Sequence, residues 1–386
     1  MINRWNEVEA IAYTDPVDLR VYTSRLQGVE PDLVLHGGGN TSVKVGDTLY
    51  VKGSGWSLDT IERPGFSPVK MDVLLSMAEQ DHLSDTELVA GQRAALLDEK
   101  APNPSIEAVL HALIPFTFVD HTHADAVATI SNTSDGEARF KEIYGKRVMI
   151  VPYVMPGFEL AKTIRRMTQD LSWDSIEGLV LLNHGIFTFH ADAKASYDKM
   201  IELVGMAEAY LEEHTVVPET EDVSAFPQKD AIARQASQLL ACDVVLKEVR
   251  TPYAIALSKM ANVGDIVRKG QLTPEHVIRT KPFPVIIDHD SEEGFQRFQK
   301  DYREYFRSYE NGETMLDPCP RYAIVRNHGL IAIGRNEKEA GIIADIITHT
   351  AKAMVQAEQL GGWRSLDEKD VFAIEYWELE QAKLKG

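Results

Sequence analysis

Two stretches of the chain repeat one pattern of apolar and polar positions. In residues 178–212 an apolar run, "GLVLL", is followed by Asn-His-Gly, a second apolar run, a polar turn and a long amphipathic segment. Residues 321–358 run the same way, from "RYAIV" through Asn-His-Gly and "LIAIG" to a second long amphipathic segment. Short β-type runs broken by a turn predict two strands, and apolar residues recurring every third or fourth position predict a helix after them. The first helix aligns Tyr197, Ile201, Val204 and Leu211 on one stripe; the second aligns Ile343, Ile347, Met354 and Ala357. Upstream, "FVDHTHAD" with "EARFKEIYG" has an echo in "VIIDHDSEEGFQRFQKDYREYF" (285–306). A shared order of elements points to an internal duplication. Between the halves, 212–230 is polar, acidic and interrupted by Pro218 and Pro227, which predicts a linker. Domains are therefore expected at 1–217 and 228–386, each of mixed α/β (α+β) class with a sheet flanked by helices.

Composition narrows the function classes. The 386 residues are 44% hydrophobic and 26% charged, an ordinary globular balance. A net charge of −19 speaks against nucleic-acid or acidic-membrane surfaces, although a local pocket can still hold an anion. Cys242 and Cys319 stand far apart, which excludes a thiolate metal site or a disulfide framework and fits a reducing compartment. The start "MINRWNEVEA" has no apolar signal core, and no run reaches membrane-spanning length, so a cytoplasmic protein is expected.

Candidate chemistry clusters in the first half. In "FVDHTHADAVATI" (118–130), side chains of a strand alternate faces, so His121 and His123 point the same way. Such a pair either shares a cation or is simply hydrogen-bonded. His184, at a strand end beside Gly185, either meets a turn carbonyl or completes a three-histidine set, which leaves an open coordination position of the catalytic kind. In "PNPSIEAVLHALIP" (102–115), Pro104 and Ser105 mark a helix start with Glu107 in its first turn. There Glu107 is either a dipole-stabilised surface acid or a general base leading into the histidine strand. His111, one turn on, reads as packing or outer support, not as a ligand. The stretch "LHGGGNTSVKVGDTLYVKGSGWSL" (35–58) has two glycine-rich turns. Backbone N–H groups with Asn40, Thr41 and Ser42, and with Ser54 and Gly55, could converge on one anion, or the turns are plain β-turns. Neither fits a P-loop or a dinucleotide fingerprint. In the second half, "HVIRTKP" (276–282) is the most basic short stretch. Arg279 and Lys281 are either surface charges or groups lent to an anionic substrate. The second half keeps His328 but has Asp288-His289-Asp290 for the histidine pair, so no second metal site is expected there.

The ordered set GGGNTS, KGSG, PSIE, HTH and NHG resembles the class II aldolase/adducin family over nearly the whole chain. The nearest resemblance is to the aldolase part of long bifunctional rhamnulose-1-phosphate aldolase/short-chain dehydrogenases, which similarly carries "TPEHVIRTK" (273–281) and "IEYWELEQAKL" (374–384). No dehydrogenase part is expected before Gly386. The resemblance implies a class II aldolase-like fold followed by a degenerate repeat. It makes His121, His123 and His184 ligands of a divalent metal, zinc first, with manganese or cobalt as alternatives. Glu107 becomes the catalytic acid/base, and Asn40, Ser54, Gly55 and Ser105 the phosphate contacts. Ile106 stands where smaller members have a second serine, which removes one donor. Tyr153 matches a tyrosine that reaches a neighbouring subunit's site as proton donor; burial beside Pro152 and Pro156 is the alternative. The implied activity is retro-aldol cleavage of a ketose phosphate or related hydroxy-ketone through a metal-stabilised enediolate, in a homotetramer. An epimerase or dehydratase of the same family, and a non-catalytic scaffold, are the alternatives.

Overall fold

A computed structural model describes residues 1–220 and 225–383. The chain divides into two compact units, the first comprising Met1–Ser131 and Asp135–Tyr210, the second running from Leu211 and including Asn132–Ser134. Residues 221–224, inside the expected linker, lie outside the described residues.

The first unit is built on seven strands: β1 (Asn40–Val45), β2 (Thr48–Lys52), β3 (Phe66–Lys70), β4 (Phe118–Thr122), β5 (Val148–Val151), β6 (Gly178–Leu181) and β7 (Gly185–His190). They lie in the order β3-β2-β1-β4-β7-β6-β5, antiparallel except for β5 beside β6. Alternation divides each strand between two cores. Leu49, Val51, Val69, Val119, Phe187 and Phe189 face the helices Met71–Ala78, Ala108–Leu113 and Phe158–Met167, through Leu74, Met77, Val109, Leu110 and Ile164. The other face meets Val17 and Val21 of the helix Pro16–Gly28, through Val43, Phe66 and Phe118. That helix starts where Asp15 accepts hydrogen bonds from the N–H groups of Val17 and Asp18, with Pro16 in the first turn.

The second unit has four strands among the described residues: β8 (Val245–Val249), β9 (Val285–Ile287), β10 (Tyr322–Val325) and β11 (Gly329–Gly334), in the order β8-β11-β10-β9. Only β9 and β10 run parallel. The helix Ser291–Tyr309 lays Phe295, Phe298, Tyr302 and Phe306 into this unit's core with Val285, Ile287, Val325 and Ile331. The mixed α/β class, the sheet flanked by helices and the second, related domain all agree with the sequence. The helices Ala193–His214 and Glu337–Gln359 bury the expected stripes, Tyr197, Ile201, Val204 and Leu211 in one and Ile343, Ile347, Met354 and Ala357 in the other.

The echo is displaced from where the sequence suggested. β9 lies parallel to β10 at a sheet edge, as β5 lies parallel to β6. The strand that pairs with β11 as β4 pairs with β7 is therefore β8, not the segment around Asp288-His289-Asp290. A shared Asp-His dipeptide outweighed topology in the sequence, because strand order is not written in local pattern. Among the described residues, no helix is long and apolar enough to cross a membrane.

Candidate metal centre

The Asn-His-Gly turn is built for geometry first. Asn183 takes a left-handed backbone, φ 57°, which asparagine tolerates better than most residues. A Cβ on Gly185 would lie 2.3 Å from the Thr122 carbonyl oxygen, so only glycine lets β7 start this close to β4. Between them His184 is carried to the end of β4, where His121 and His123 share the face of Val119.

The three imidazoles converge. Their potential ligand atoms all lie within 4.8 Å of one another, and all three residues are buried. His121 Nε2 and His123 Nε2 are 3.0 Å apart. Four ligands around one zinc ion at ordinary Zn–N length stand about 3.3 Å apart, so this spacing suits a shared cation. His121 Nδ1 donates to the Ile186 carbonyl at 3.1 Å, which leaves the Nε2 lone pair turned into the cluster. Phe187 stacks on the same ring at 4.1 Å, 14° from parallel, and fixes its plane.

Glu107 closes the group. Its Oε2 is 3.5 Å from His121 Nε2 and its Oε1 is 3.7 Å from His184 Nε2. Burial alone would push this carboxyl up, but His121, His184, the Asn40 amide and His123 hold it below its ordinary value, at about 2. Burial pushes the His121 imidazole well below its ordinary value, against the pull of Glu107. A buried carboxylate and inward-turned imidazole lone pairs are together the donor set of a cation, which supplies the full opposite charge that the Asn40 amide does not. The residues present therefore fit a divalent metal. Glu107 itself is the N-cap of the helix Ala108–Leu113 and not a first-turn residue. The helix starts later than expected because Ser54 N–H donates to the Asn103 carbonyl and Ser105 N–H to the Lys52 carbonyl, holding 103–105 extended.

Those two bonds bring the KGSG turn beside the PSIE segment, so Ser54 and Ser105 are neighbours in space. Ser54 and Gly55 are exposed, Ser105 half-buried, and Gly55 has φ 84°. Asn40 stands opposite His121 in the β1–β4 ladder and donates from Nδ2 to Glu107 Oε2 at 2.7 Å. Ser42 is on the same face, 2.8 Å from His111 Nδ1. Thr41 is not part of this group: it projects to the opposite face, where its hydroxyl lies 2.7 Å from Ser24 Oγ. Lys281 also departs from expectation, because its ammonium is buried in the second unit, donating to Tyr302 Oη at 2.9 Å and lying 3.4 Å from Glu375. Arg279 is half-buried in the short helix Val277–Thr280 of that unit. Tyr153 is half-buried in the segment between β5 and the helix Phe158–Met167.

Two features of the site were not read from sequence. Lys52, buried at the end of β2, donates to the Gly37 carbonyl at 3.1 Å and ties down the glycine-rich loop. Behind β4, Asp120 accepts from Arg20 and Gln27 at 2.5 Å each and from Ser196 at 2.5 Å, all at fully buried side chains. The alternation Asp-His-Thr-His signals a polar residue on the far face, but its partners are 76 to 100 residues away.

Residues 19–211 match the family model of the class II aldolase and adducin N-terminal domain, and residues 227–384 that of the aldolase class II second domain. A structure of the N-terminal class II aldolase domain of a conserved protein from Thermoplasma acidophilum is 39% identical, covering 55% of this chain and 99% of that one at a TM-score of 0.50. A Bacillus subtilis (strain 168) protein named uncharacterized oxidoreductase YuxG is 30% identical over 423 residues, covering 98% of this chain. The chain spans 60% of that relative's length. An L-fuculose-1-phosphate aldolase from Thermus thermophilus is 15% identical over 50% of this chain and 95% of that one, with a TM-score of 0.35, too distant to carry an argument.

Proposed function

Since the chain belongs to the class II aldolase and adducin family, we propose that it is a metal-dependent aldehyde-lyase that cleaves a ketose phosphate or a related hydroxy-ketone. The observation that carries this reading is the convergence of three imidazoles on Glu107, with oxygen-to-nitrogen distances of 3.5 and 3.7 Å. His121, His123 and His184 would hold the metal, zinc by preference for an all-imidazole set. When bound, a divalent cation supplies Lewis-acid polarisation of the substrate carbonyl. Glu107 moves a proton between the substrate carbon and solvent, a task its place beside the cluster suits. Tyr153, from a neighbouring copy in a homotetramer, takes the proton from the hydroxyl that becomes the aldehyde carbonyl as the C–C bond breaks, and returns it in the condensation direction. Asn40, Ser54, Gly55 and Ser105 receive the phosphate. Retention of all three histidines and the acid speaks against a scaffold role.

The test is elemental analysis of the purified protein followed by product analysis on a panel of ketose phosphates. One metal per chain and an aldehyde product are expected. A sugar isomer as the sole product would turn the reading to an epimerase, and a metal-free, inert protein would end it. Sedimentation showing a fully active monomer would remove Tyr153 from the site.

A further inference from the structure

His111 stands outside the imidazole cluster, yet it is fully buried and both of its ring nitrogens are engaged. Nδ1 lies 2.8 Å from the Ser42 hydroxyl, and Nε2 lies 2.5 Å from Asn40 Oδ1. The other end of that amide donates to Glu107 Oε2 at 2.7 Å. The directions along this chain follow from donor and acceptor chemistry. A carboxylate only accepts, so Asn40 turns its NH2 to Glu107 and its carbonyl to His111. A carbonyl only accepts, so the His111 proton sits on Nε2. In a neutral ring Nδ1 is then an acceptor, and the Ser42 hydroxyl donates to it. Burial, which pushes the imidazole down to about 3, keeps the ring neutral. Phe187 packs edge-on against it at 5.4 Å. At the far end of the relay, Glu107 Oε1 accepts no hydrogen bond among the described residues.

We propose that His111 is a positioning residue for Glu107: acting through Asn40, it pins Oε2 and leaves Oε1 as the oxygen that takes and returns the substrate proton. The proposal rests on the lyase reading of the site. In the step concerned, the substrate C–H bond breaks, an O–H bond forms on Oε1, and the electron pair stays on the substrate. The reverse step breaks that O–H bond and restores the C–H bond. Without the donor at Nε2, the Asn40 amide is free to turn over. Its carbonyl would then face the carboxylate, and Glu107 would swing away from its post.

Exchange of deuterium from D2O into dihydroxyacetone phosphate, followed by NMR on the zinc-loaded full chain, reads this proton step alone. His111→Phe should slow exchange about 10- to 100-fold with zinc content unchanged, the usual range for losing a supporting partner. His111→Gln, whose amide NH2 can replace the ring N–H, should recover most of the rate, and Ser42→Ala should give a smaller loss. Ser42→Ala carries the test if the Phe variant fails to fold. Independently of turnover, ring nitrogen NMR should show His111 with its proton on Nε2. Equal exchange rates in all variants, or a proton on Nδ1, would overturn the proposal. So would a loss that Gln does not recover and that tracks zinc content, since His111 would then only support the fold. A wild-type protein that exchanges no proton sinks the lyase reading instead. The ring tautomer, and a downfield Asn40 amide proton that vanishes in the Phe variant, then decide the positioning by themselves.

Discussion

Counted from Gly185 and from Gly329, β4 and β8 run against their partner strands in the same register. His121 faces Phe187 and Glu248 faces Ile331, each partner two residues past its glycine. The positions of His121, His123 and His184 are therefore held in the second unit by Glu248, Arg250 and His328. Glu248 and Arg250 form an ion pair at 2.6 Å, with Lys229 2.8 Å from Glu248. The turn is kept: Asn327 has φ 64°, and a Cβ on Gly329 would lie 2.6 Å from the Val249 carbonyl. Asn-His-Gly is thus first a hairpin turn, and its histidine joins a cluster of imidazoles only where β4 supplies two more. A second difference is addition. β1 to β3, which bring Asn40 and the glycine-rich loops, have no counterpart among the described residues of the second unit. The four-strand frame is shared, and the two units differ here by two substitutions and the added strands.

The largest effect should come from writing one unit into the other. His121→Glu with His123→Arg places the second unit's pair in the first. Metal should be lost, and turnover should fall about 10³-fold or more, because both the cation and the carboxylate's partner are gone. Elemental analysis and product assays check it. Retained metal would mean that the imidazoles are not the ligands.

The strand's hidden face differs as sharply. Asp120 is fully buried with Arg20, whereas Lys247, at the equivalent place on β8, is 40% exposed and 3.6 Å from Glu337. Asp120→Ala strands a buried guanidinium and should cost about 3–5 kcal/mol. Lys247→Ala should cost under about 1 kcal/mol. Urea unfolding of both variants would show whether β4 is braced as the structure indicates.

The reverse transplant is subtler. Glu248→His with Arg250→His, beside the native His328, should add weak metal binding, because the register already aligns the three positions. Titration calorimetry should find a second, weaker site per chain. No added binding would show that the frame alone does not set ligand geometry.

Much of this was legible in sequence, because it depends on short periods. Strand alternation put His121 and His123 together, and helical spacing found the stripes on both long helices. The same alternation separates Thr41 from Asn40 and Ser42, so Thr41's placing was also readable. Pairings such as Arg20 with Asp120, or His111 with Asn40, were not, since they join residues 100 and 71 positions apart. No local period records them. The order of β8 and β9 was hidden for the same reason, because edge and centre strands carry similar apolar runs.

The smallest effect concerns the added strands. Lys44, on β1, donates from its ammonium to the carbonyls of Ile114 and Phe116, the latter at 2.9 Å. Burial pushes its pKa down to about 7 from 10.5. Below pH 7 both folded and unfolded chains carry the proton, and the cost of burying the charge is felt in full. Between 7 and 10.5 the unfolded chain binds more protons than the folded one, so stability from this group rises with pH. Above 10.5 both states are neutral and the rise ends. Between pH 7 and 9 the wild type should therefore gain about 1–2 kcal/mol relative to Lys44→Met, whose curve lacks this term. Denaturation at several pH values would test it. Parallel curves for the two proteins would mean that the two carbonyls compensate the charge in place, and that the added strands carry no such cost.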